Sequence, residues 1–167
     1  MCIIYEISAT VPDWRREALS KYWDPARRLL QAIRSHQHMA NRGGMIASLA
    51  QLTYVLRHRL WSVVSGAEIH LTTSIGGGLL IPHPNGIVIH PDAVIGPNCL
   101  IFQQVTIGTG GKKPGVPTLG GHVDVGAGAK ILGGVVIGDH AKIGANAVVL
   151  DDVPAGATAV GIPARIV

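Results

Sequence analysis

Residues 119–149 read LGGHVDVGAGAKILGGVVIGDHAKIGANAVV, and an aliphatic residue returns at every sixth position of this stretch. Because about three residues in ten here are Ile, Leu or Val, six successive aliphatic residues in one frame would arise by chance on the order of once in a thousand trials. A small or slender residue commonly stands two positions before the aliphatic residue, and glycine commonly follows it. No amphipathic helix has this period. The six positions are Leu119, Val125, Ile131, Ile137, Ile143 and Val149.

A period of six residues is long enough for a short strand and the turn that follows it. Three such units form a triangular coil, and each coil stacks on the previous one through parallel strand hydrogen bonds, about 4.8 Å further along the axis. The aliphatic residue then fills the interior, the small residue lets the corner close, and glycine adopts turn conformations that other residues resist. The repeat therefore predicts a mainly β fold, a solenoid built as a parallel β-helix.

The same period runs through the preceding residues, but it is interrupted twice. At the first interruption the frame slips by two residues, and His83 stands there between Pro82 and Pro84. The second interruption is residues 109–118, TGGKKPGVPT, which lack an aliphatic residue at the right spacing and predict an extended loop. The aliphatic positions around the first interruption are Ile69, Ile75 and Ile81 before it, and Ile89, Ile95, Ile101 and Ile107 after it.

The N-terminal part of the chain has a different composition. Six of the seven aromatic residues lie at or before Trp61, whereas twenty of the 22 glycines lie at or after Gly66. This shift predicts an N-terminal helical segment at residues 1–65 and a β-helix domain at residues 66–167.

Three amphipathic helices are expected in the N-terminal segment, over Asp13–Trp23, Pro25–Met39 and residues 45–64. Asp24 followed by proline is a good start signal for the second helix, and glycines at residues 43 and 44 end it. These helices are too few to form a large core alone, so they must pack against the β-helix or against other copies of the chain. The apolar stripe of the third helix is Ile46, Leu49, Leu52, Leu56 and Leu60.

Charge and cysteine content limit the partners and the compartment. The net charge is +5 over residues 1–66 and −1 over the remainder, but the basic segment has no base-reading motif, so a solvated helix face is the better interpretation than nucleic-acid binding. Two cysteines, Cys2 and Cys99, cannot form a disulfide framework. The sequence has no secretory signal pattern and no apolar run of membrane-spanning length. We expect no nucleic-acid or membrane partner and a cytoplasmic location.

The repeat resembles that of the hexapeptide-repeat acyltransferases, which fold as a left-handed parallel β-helix, and within that family it most resembles the serine acetyltransferases. The resemblance covers residues 67–167. It implies a homotrimer with active sites between neighbouring subunits, and the N-terminal helices could join two trimers. The stretches that carry it are Glu68–His70, His83 with residues 86–88, Gln104–Gly110, Gly126–Gly133 and Val160–Val167.

The resemblance implies direct acetyl transfer from acetyl-CoA to a hydroxyl group, with His83 as the general base. Histidine suits this role because it is largely a neutral base at physiological pH. A carboxylate at the position of Glu68 would orient the imidazole ring, and the spacing of fifteen residues places the two on adjacent coils near one corner. His70, Pro82 and Gln104 are the remaining candidates on the acceptor side.

For coenzyme A, the resemblance implies contacts from glycine-rich backbone and from cations. Gly108 and Thr109 could donate hydrogen bonds to the thioester oxyanion. Gly128 and Ala129 belong to the stretch with the firmest family match. The cations available for the phosphates are Lys130, Lys112, Lys113 and Arg165. No metal is expected.

Two departures from the family pattern leave the acceptor open. Pro82 replaces the aspartate that precedes the catalytic histidine in the family, and Gly115-Val116-Pro117 replaces its Arg-His-Pro. Serine is the leading acceptor, and a sugar hydroxyl, a sugar amine or another small alcohol or amine is the alternative. A zinc-dependent hydratase of the carbonic anhydrase type would need three converging histidines, and the eight histidines show no convincing ligand spacing. A non-catalytic scaffold is a third class.

Overall fold

The computed structural model describes residues 7–19, 21–40 and 45–167, except for the side chains of residues 40 and 45–50. Three sheets form the faces of a triangular solenoid, in agreement with the predicted left-handed parallel β-helix and its short N-terminal helical segment. Neighbouring strands pair in parallel, except for the last two strands of the chain, which pair antiparallel. The strands are β1 (Glu68–Ile69), β2 (Ser74–Ile75), β3 (Val88–Ile89), β4 (Val94–Ile95), β5 (Leu100–Ile101), β6 (Thr106–Gly108), β7 (Thr118–Leu119), β8 (Asp124–Val125), β9 (Lys130–Leu132), β10 (Val136–Ile137), β11 (Lys142–Ile143), β12 (Val148–Val149), β13 (Thr158–Val160) and β14 (Arg165–Ile166). The sheets have the strand orders β1-β3-β6-β9-β12, β2-β4-β7-β10 and β5-β8-β11-β13-β14.

The strand register measures the length of each coil and locates both interruptions. Lys130 pairs with Val148, so a regular coil has eighteen residues. Glu68 pairs with Val88, which makes the coil that contains the first interruption twenty residues long. Thr106 pairs with Lys130, which makes the coil that contains the second interruption twenty-four residues long. Both predicted interruptions are confirmed, and parallel pairing continues on either side of each.

The interior of the solenoid is the aliphatic column that the repeat predicts. All thirteen aliphatic repeat positions from Ile69 to Val149 are buried. The small residues two positions earlier, such as Ala93 and Ala129, are buried as well. The corners need a left-handed backbone, and at Gly128 (φ +74) an added Cβ would lie 2.2 Å from the side-chain oxygen of Asn146.

Two of the three predicted helices are confirmed: α1 spans Pro25–Ala40 and α2 spans Met45–Ser65. The helix predicted over Asp13–Trp23 is wrong, because the described residues of this segment form a single 3₁₀ turn at Trp14–Glu17. Glu17 explains the difference, since its carboxylate accepts hydrogen bonds from the N–H groups of Gly78 and Leu79 and thereby ties the segment to the first coil. The predicted end of α1 at residues 41–44 lies outside the described residues.

The N-terminal segment closes the first end of the solenoid. Ala26, Leu29, Leu30 and Ile33 of α1 belong to the same buried cluster as the first coils. The exposed edge of that coil would otherwise present unpaired backbone groups, and polar side chains of the segment satisfy several of them. In addition to the bonds of Glu17, His58 contacts the carbonyl of Ile69, Gln37 donates to the carbonyls of Leu71 and Thr73, and Arg34 donates to those of Ile75 and Gly76.

Part of the apolar stripe of α2 is exposed in the described part of the chain. Leu52, Leu56 and Leu60 are 57–58% exposed, whereas the side chains of Ile46 and Leu49 lie outside the described residues. In the described part of the chain, no helix combines the length and the apolarity that crossing a membrane requires.

Candidate active site

The first interruption of the repeat borders a cavity of about 530 Å³. The twenty-residue coil forms one wall, and the opposite walls come from the start of α1 and the end of α2. A volume of this order is typical of pockets for small molecules. The lining includes His83, Pro82, Asn85, Leu30, Ser65, Lys21, Trp23, Asp24 and Arg27.

His83 lies in the turn that the two extra residues create, and its side chain is exposed. The backbone of this turn is anchored on both neighbouring coils: Gly86 N–H donates to the carbonyl of Gly66, and Gln104 N–H donates to that of Asn85. The imidazole ring stacks on Phe102 of the next coil, with ring centroids 6.5 Å apart and an interplanar angle of 26°. The histidine is therefore presented at the cavity by a turn that is held in place.

Glu68 lies on β1, at the start of the twenty-residue coil that contains His83, and its side chain is exposed. It lines a second, smaller cavity of about 300 Å³ together with Ser62, Val63 and Val88. Among the described residues, no hydrogen bond or ion pair joins Glu68 to His83. The predicted pairing of these two side chains stays a prediction.

The start of α1 contributes charged groups to the cavity that the sequence patterns did not identify as site residues. Asp24 is the predicted helix cap, since its carboxylate accepts a hydrogen bond from Arg27 N–H at 3.2 Å. The same carboxylate pairs with the Arg27 guanidinium at 2.9 Å, and Arg27 Nε donates to the carbonyl of Arg16. Lys21 lines the cavity as well. The helix-cap pattern at Asp24 is the one sequence signal in this region, and it predicts a helix start rather than a site. Nothing in the sequence relates residues 21–27 to residues 82–85.

The lysines predicted for coenzyme A phosphates already have partners in the chain. Lys130 Nζ lies 2.6 Å from the carbonyl of Gln104 and 3.1 Å from the hydroxyl of Thr106. In the loop of the second interruption, Lys112 pairs with Asp151 at 3.5 Å and Lys113 pairs with Asp152 at 2.7 Å. The hydrogen bond from Lys113 and the N–H of Val136 hold the pKa of Asp152 below its usual value.

The hexapeptide coils match a known protein family. The family model described as "Bacterial transferase hexapeptide (six repeats)" matches residues 117–151. A serine acetyltransferase of Synechococcus elongatus is 47% identical over 114 residues, which are 67% of this chain and 47% of that protein. The crystal structure of serine acetyltransferase from Brucella abortus has a TM-score of 0.74 and 30% identity, over 92% of this chain and 67% of that chain. The chain belongs to the hexapeptide-repeat transferase family.

A third relative from the same family bears on ligands. A serine acetyltransferase solved in complex with CoA is 36% identical, with a TM-score of 0.70 over 87% of this chain and 58% of that chain. The chain spans about half of the length of the Synechococcus relative.

The remaining predicted residues of the hexapeptide domain lie at several places. His70 is exposed, its Nδ1 lies 2.7 Å from the hydroxyl of Thr72, and it does not line the cavity of His83. Ala129 is fully buried, so only its backbone could reach a ligand. Gly108 ends β6, and its carbonyl accepts a hydrogen bond from the N–H of Gly133. Thr109 is exposed at the start of the loop of the second interruption. Gly128 forms a corner of a coil, and Arg165 lies on β14.

Two further titratable sites lie on the regular hexapeptide coils. The Nδ1 atoms of His122 and His140 are 2.8 Å apart on adjacent coils, and partial burial lowers the pKa of His122. Burial raises the pKa of the Cys99 thiol to about 11. Within the described residues, no group of three or more His, Cys, Asp or Glu side chains is placed to hold a metal ion, so the zinc hydratase alternative gains no support.

Proposed function

We propose that this chain is an acetyl-CoA-dependent O-acetyltransferase, with L-serine as the leading acceptor and O-acetylserine and CoA as products. One observation carries the proposal: the only histidine lining the main cavity, within the described residues, is the one in the interrupted turn, His83. The similarity to serine acetyltransferases, one of them solved with CoA, supports both the acetyl donor and the acceptor.

The proposed reaction is a direct transfer. A ring nitrogen of His83 takes the proton of the acceptor hydroxyl, and the oxygen attacks the carbonyl carbon of the thioester. The tetrahedral intermediate then breaks its C–S bond, and the thiolate of CoA leaves and recovers a proton from the imidazolium. Phe102 supports the ring through its face, which leaves both ring nitrogens at the edge available for proton transfer.

The carboxylate that orients the imidazolium is proposed to be Glu68. Glu68 begins the coil whose last turn bears His83, and its side chain must rotate from the smaller cavity toward His83 to reach the imidazole ring. Backbone N–H groups near Gly108 and Thr109 are proposed to stabilise the oxyanion. His70, Pro82 and Gln104 are the proposed acceptor-side residues.

Coenzyme A is proposed to lie along the coils that bear Gly128, Ala129 and Lys130. The phosphates would be held by Lys112, Lys113 and Arg165, and the two lysines must exchange Asp151 and Asp152 for phosphate oxygens. Because these ion pairs are exposed, each contributes at most about 1 kcal/mol, and exchange is feasible.

We propose a homotrimer, with a dimer of trimers formed through the exposed apolar stripe of α2. Burying Leu52, Leu56 and Leu60 in such an interface would stabilise the assembly by at most about 1.5–3 kcal/mol per residue. The division into a helical segment at residues 1–65 and a β-helix domain at residues 66–167 stays a prediction. A cytoplasmic location is proposed from the cysteine content, with Cys99 a buried free thiol.

The test is release of the CoA thiol from acetyl-CoA across a panel of acceptors. L-Serine should give the highest kcat/KM, above D-serine, small alcohols, amino sugars and hexoses, with O-acetylserine identified by mass spectrometry. Release with a sugar and none with L-serine would overturn serine as acceptor and leave the acetyl transfer. Absence of release with every acceptor would overturn the transferase itself.

A further inference from the structure

Among the described residues, the ionisable side chains that line the main cavity are Lys21, Asp24, Arg27 and His83. Asp24 and Arg27 compensate each other: their charges lie 2.9 Å apart, and both side chains are largely buried, with 13% and 26% of their surfaces exposed. Each also has a structural task, since Asp24 caps α1 and Arg27 Nε donates to the carbonyl of Arg16. This pair is part of the wall and adds no net charge to the cavity.

Lys21 is the positive charge that this pair does not compensate. No hydrogen bond or ion pair links its ammonium group to another residue in the described part of the chain. Pro82 and Pro84, on either side of His83, carry no charge, and no second carboxylate among the described residues lines the cavity. With His83 in its neutral, proton-accepting form, the lining therefore carries a net charge of +1.

A cavity with a base and one uncompensated cation fits an acceptor that carries an anion near its hydroxyl group. We propose that Lys21 binds the carboxylate of the acceptor, and that it makes the site selective for hydroxy carboxylic acids over uncharged alcohols and sugars. This inference rests on the proposed acetyl transfer. An ammonium group suits the role, because it is a compact charge on a flexible stem and can follow a small acceptor in an open cavity.

The test compares Lys21→Gln, Lys21→Arg and the wild-type protein with two acceptors, L-serine and L-serinamide, which lacks the carboxylate charge. In Lys21→Gln, KM for L-serine should rise about tenfold, the equivalent of roughly 1.4 kcal/mol, while kcat and the KM for acetyl-CoA stay unchanged. KM for L-serinamide should not change. Lys21→Arg should retain most of the affinity for L-serine.

Two controls separate recognition from general charge effects. Arg59→Gln removes one positive charge from an exposed position on α2 outside the cavity, and it should leave both KM values unchanged. Added salt should raise the wild-type KM for L-serine, because salt screens the attraction between the Lys21 ammonium and the acceptor carboxylate. The variant Lys21→Gln lacks that ammonium, so salt should have little effect on its KM.

Equal KM values for L-serine in wild type and Lys21→Gln would overturn the inference while leaving the transferase intact. A parallel rise for L-serinamide would overturn it as well, since the effect would then be structural. If the wild-type protein transferred no acetyl group to any acceptor, the proposed function would fail. Isothermal titration with L-serine would then test the role of Lys21 without turnover. Equal affinity of the wild type and Lys21→Gln for L-serine, or no binding, would overturn the inference.

Discussion

The two interruptions of the hexapeptide repeat differ in how the protein holds them. The first adds two residues to a coil, and its turn lies against the start of α1 and the end of α2, where it borders the cavity of about 530 Å³. The second adds six residues, and its loop is attached by the ion pairs of Lys112 and Lys113 and by backbone hydrogen bonds such as Gly134 N–H to the carbonyl of Lys113.

This difference indicates which interruption can hold a reacting group in place. A turn that is anchored to two coils and faced by a helix packed on the core changes little when a ligand arrives, so it suits a base that must be aligned with a hydroxyl. A loop tied by exposed ion pairs can exchange its partners at small cost, so it suits the phosphates of a mobile substrate. Four predictions test this distinction.

The largest effect is expected from His83→Ala. Loss of a general base lowers turnover by about 10² to 10⁴ in typical enzymes, and because the side chain is exposed, thermal stability should be unchanged. The matched control is His140→Asn, which alters a corner histidine of an uninterrupted coil; Asn146 adopts the same left-handed conformation at another corner. Thiol release measures the rates, and His83→Ala with more than about a tenth of wild-type turnover would contradict the base role.

The next effect concerns the stability of each interruption. Leu30 is 1% exposed and contacts both the core and the main cavity, so Leu30→Ala should lower the free energy of unfolding by about 2–5 kcal/mol. Leu132, which lies under the loop of the second interruption, is partly exposed, and Leu132→Ala should cost less. Urea denaturation measures both. Equal losses would show that the two interruptions depend equally on the core.

A smaller effect is expected from Lys113→Met. The ion pair is exposed, so the free energy of unfolding should fall by less than about 1 kcal/mol. Because the folded-state pKa of Asp152 is depressed, the contribution of the pair is present above the unfolded pKa and disappears as pH falls through the folded pKa. Hydrogen exchange at Val136, whose N–H donates to Asp152, should quicken in the variant at neutral pH. Unchanged exchange would mean that backbone contacts alone hold the loop.

The smallest effect is on the reactivity of Cys99, measured in a Cys2→Ser background. With its pKa raised to about 11, the thiol should react slowly with disulfide reagents at pH 8. Leu30→Ala should speed the reaction, because Leu30 lines the same cavity as Leu80, whose N–H donates a hydrogen bond to the carbonyl of Cys99. Lys113→Met, at the second interruption, should leave the reaction rate unchanged. The raised pKa also means that stability falls as pH rises above the unfolded value of 9.0 toward 11. Rapid labelling of the Cys99 thiol in the Cys2→Ser protein without further substitutions would contradict the burial of that thiol.

The regular coils could be predicted because their information is local. Each unit of six residues specifies its own interior residue, corner and turn, and all thirteen predicted interior positions from Ile69 to Val149 are buried. The slip at His83 and the length of the loop at residues 109–118 also followed from the period. The segment Asp13–Trp23 could not be predicted, because the bonds that hold it there come from Gly78 and Leu79, more than sixty residues away.

The sequence by itself determined the solenoid, the positions of its two interruptions and the histidine that stands in the first. A period of six residues repeats the same short-range geometry in every coil, so the fold can be predicted one unit at a time. Only the tertiary structure brought Lys21, Asp24 and Arg27 to the same cavity as His83, and only it placed Glu68 at a separate one. Those relations depend on how α1 lies across the open end of the first coil, and helix packing of that kind has no period in the sequence.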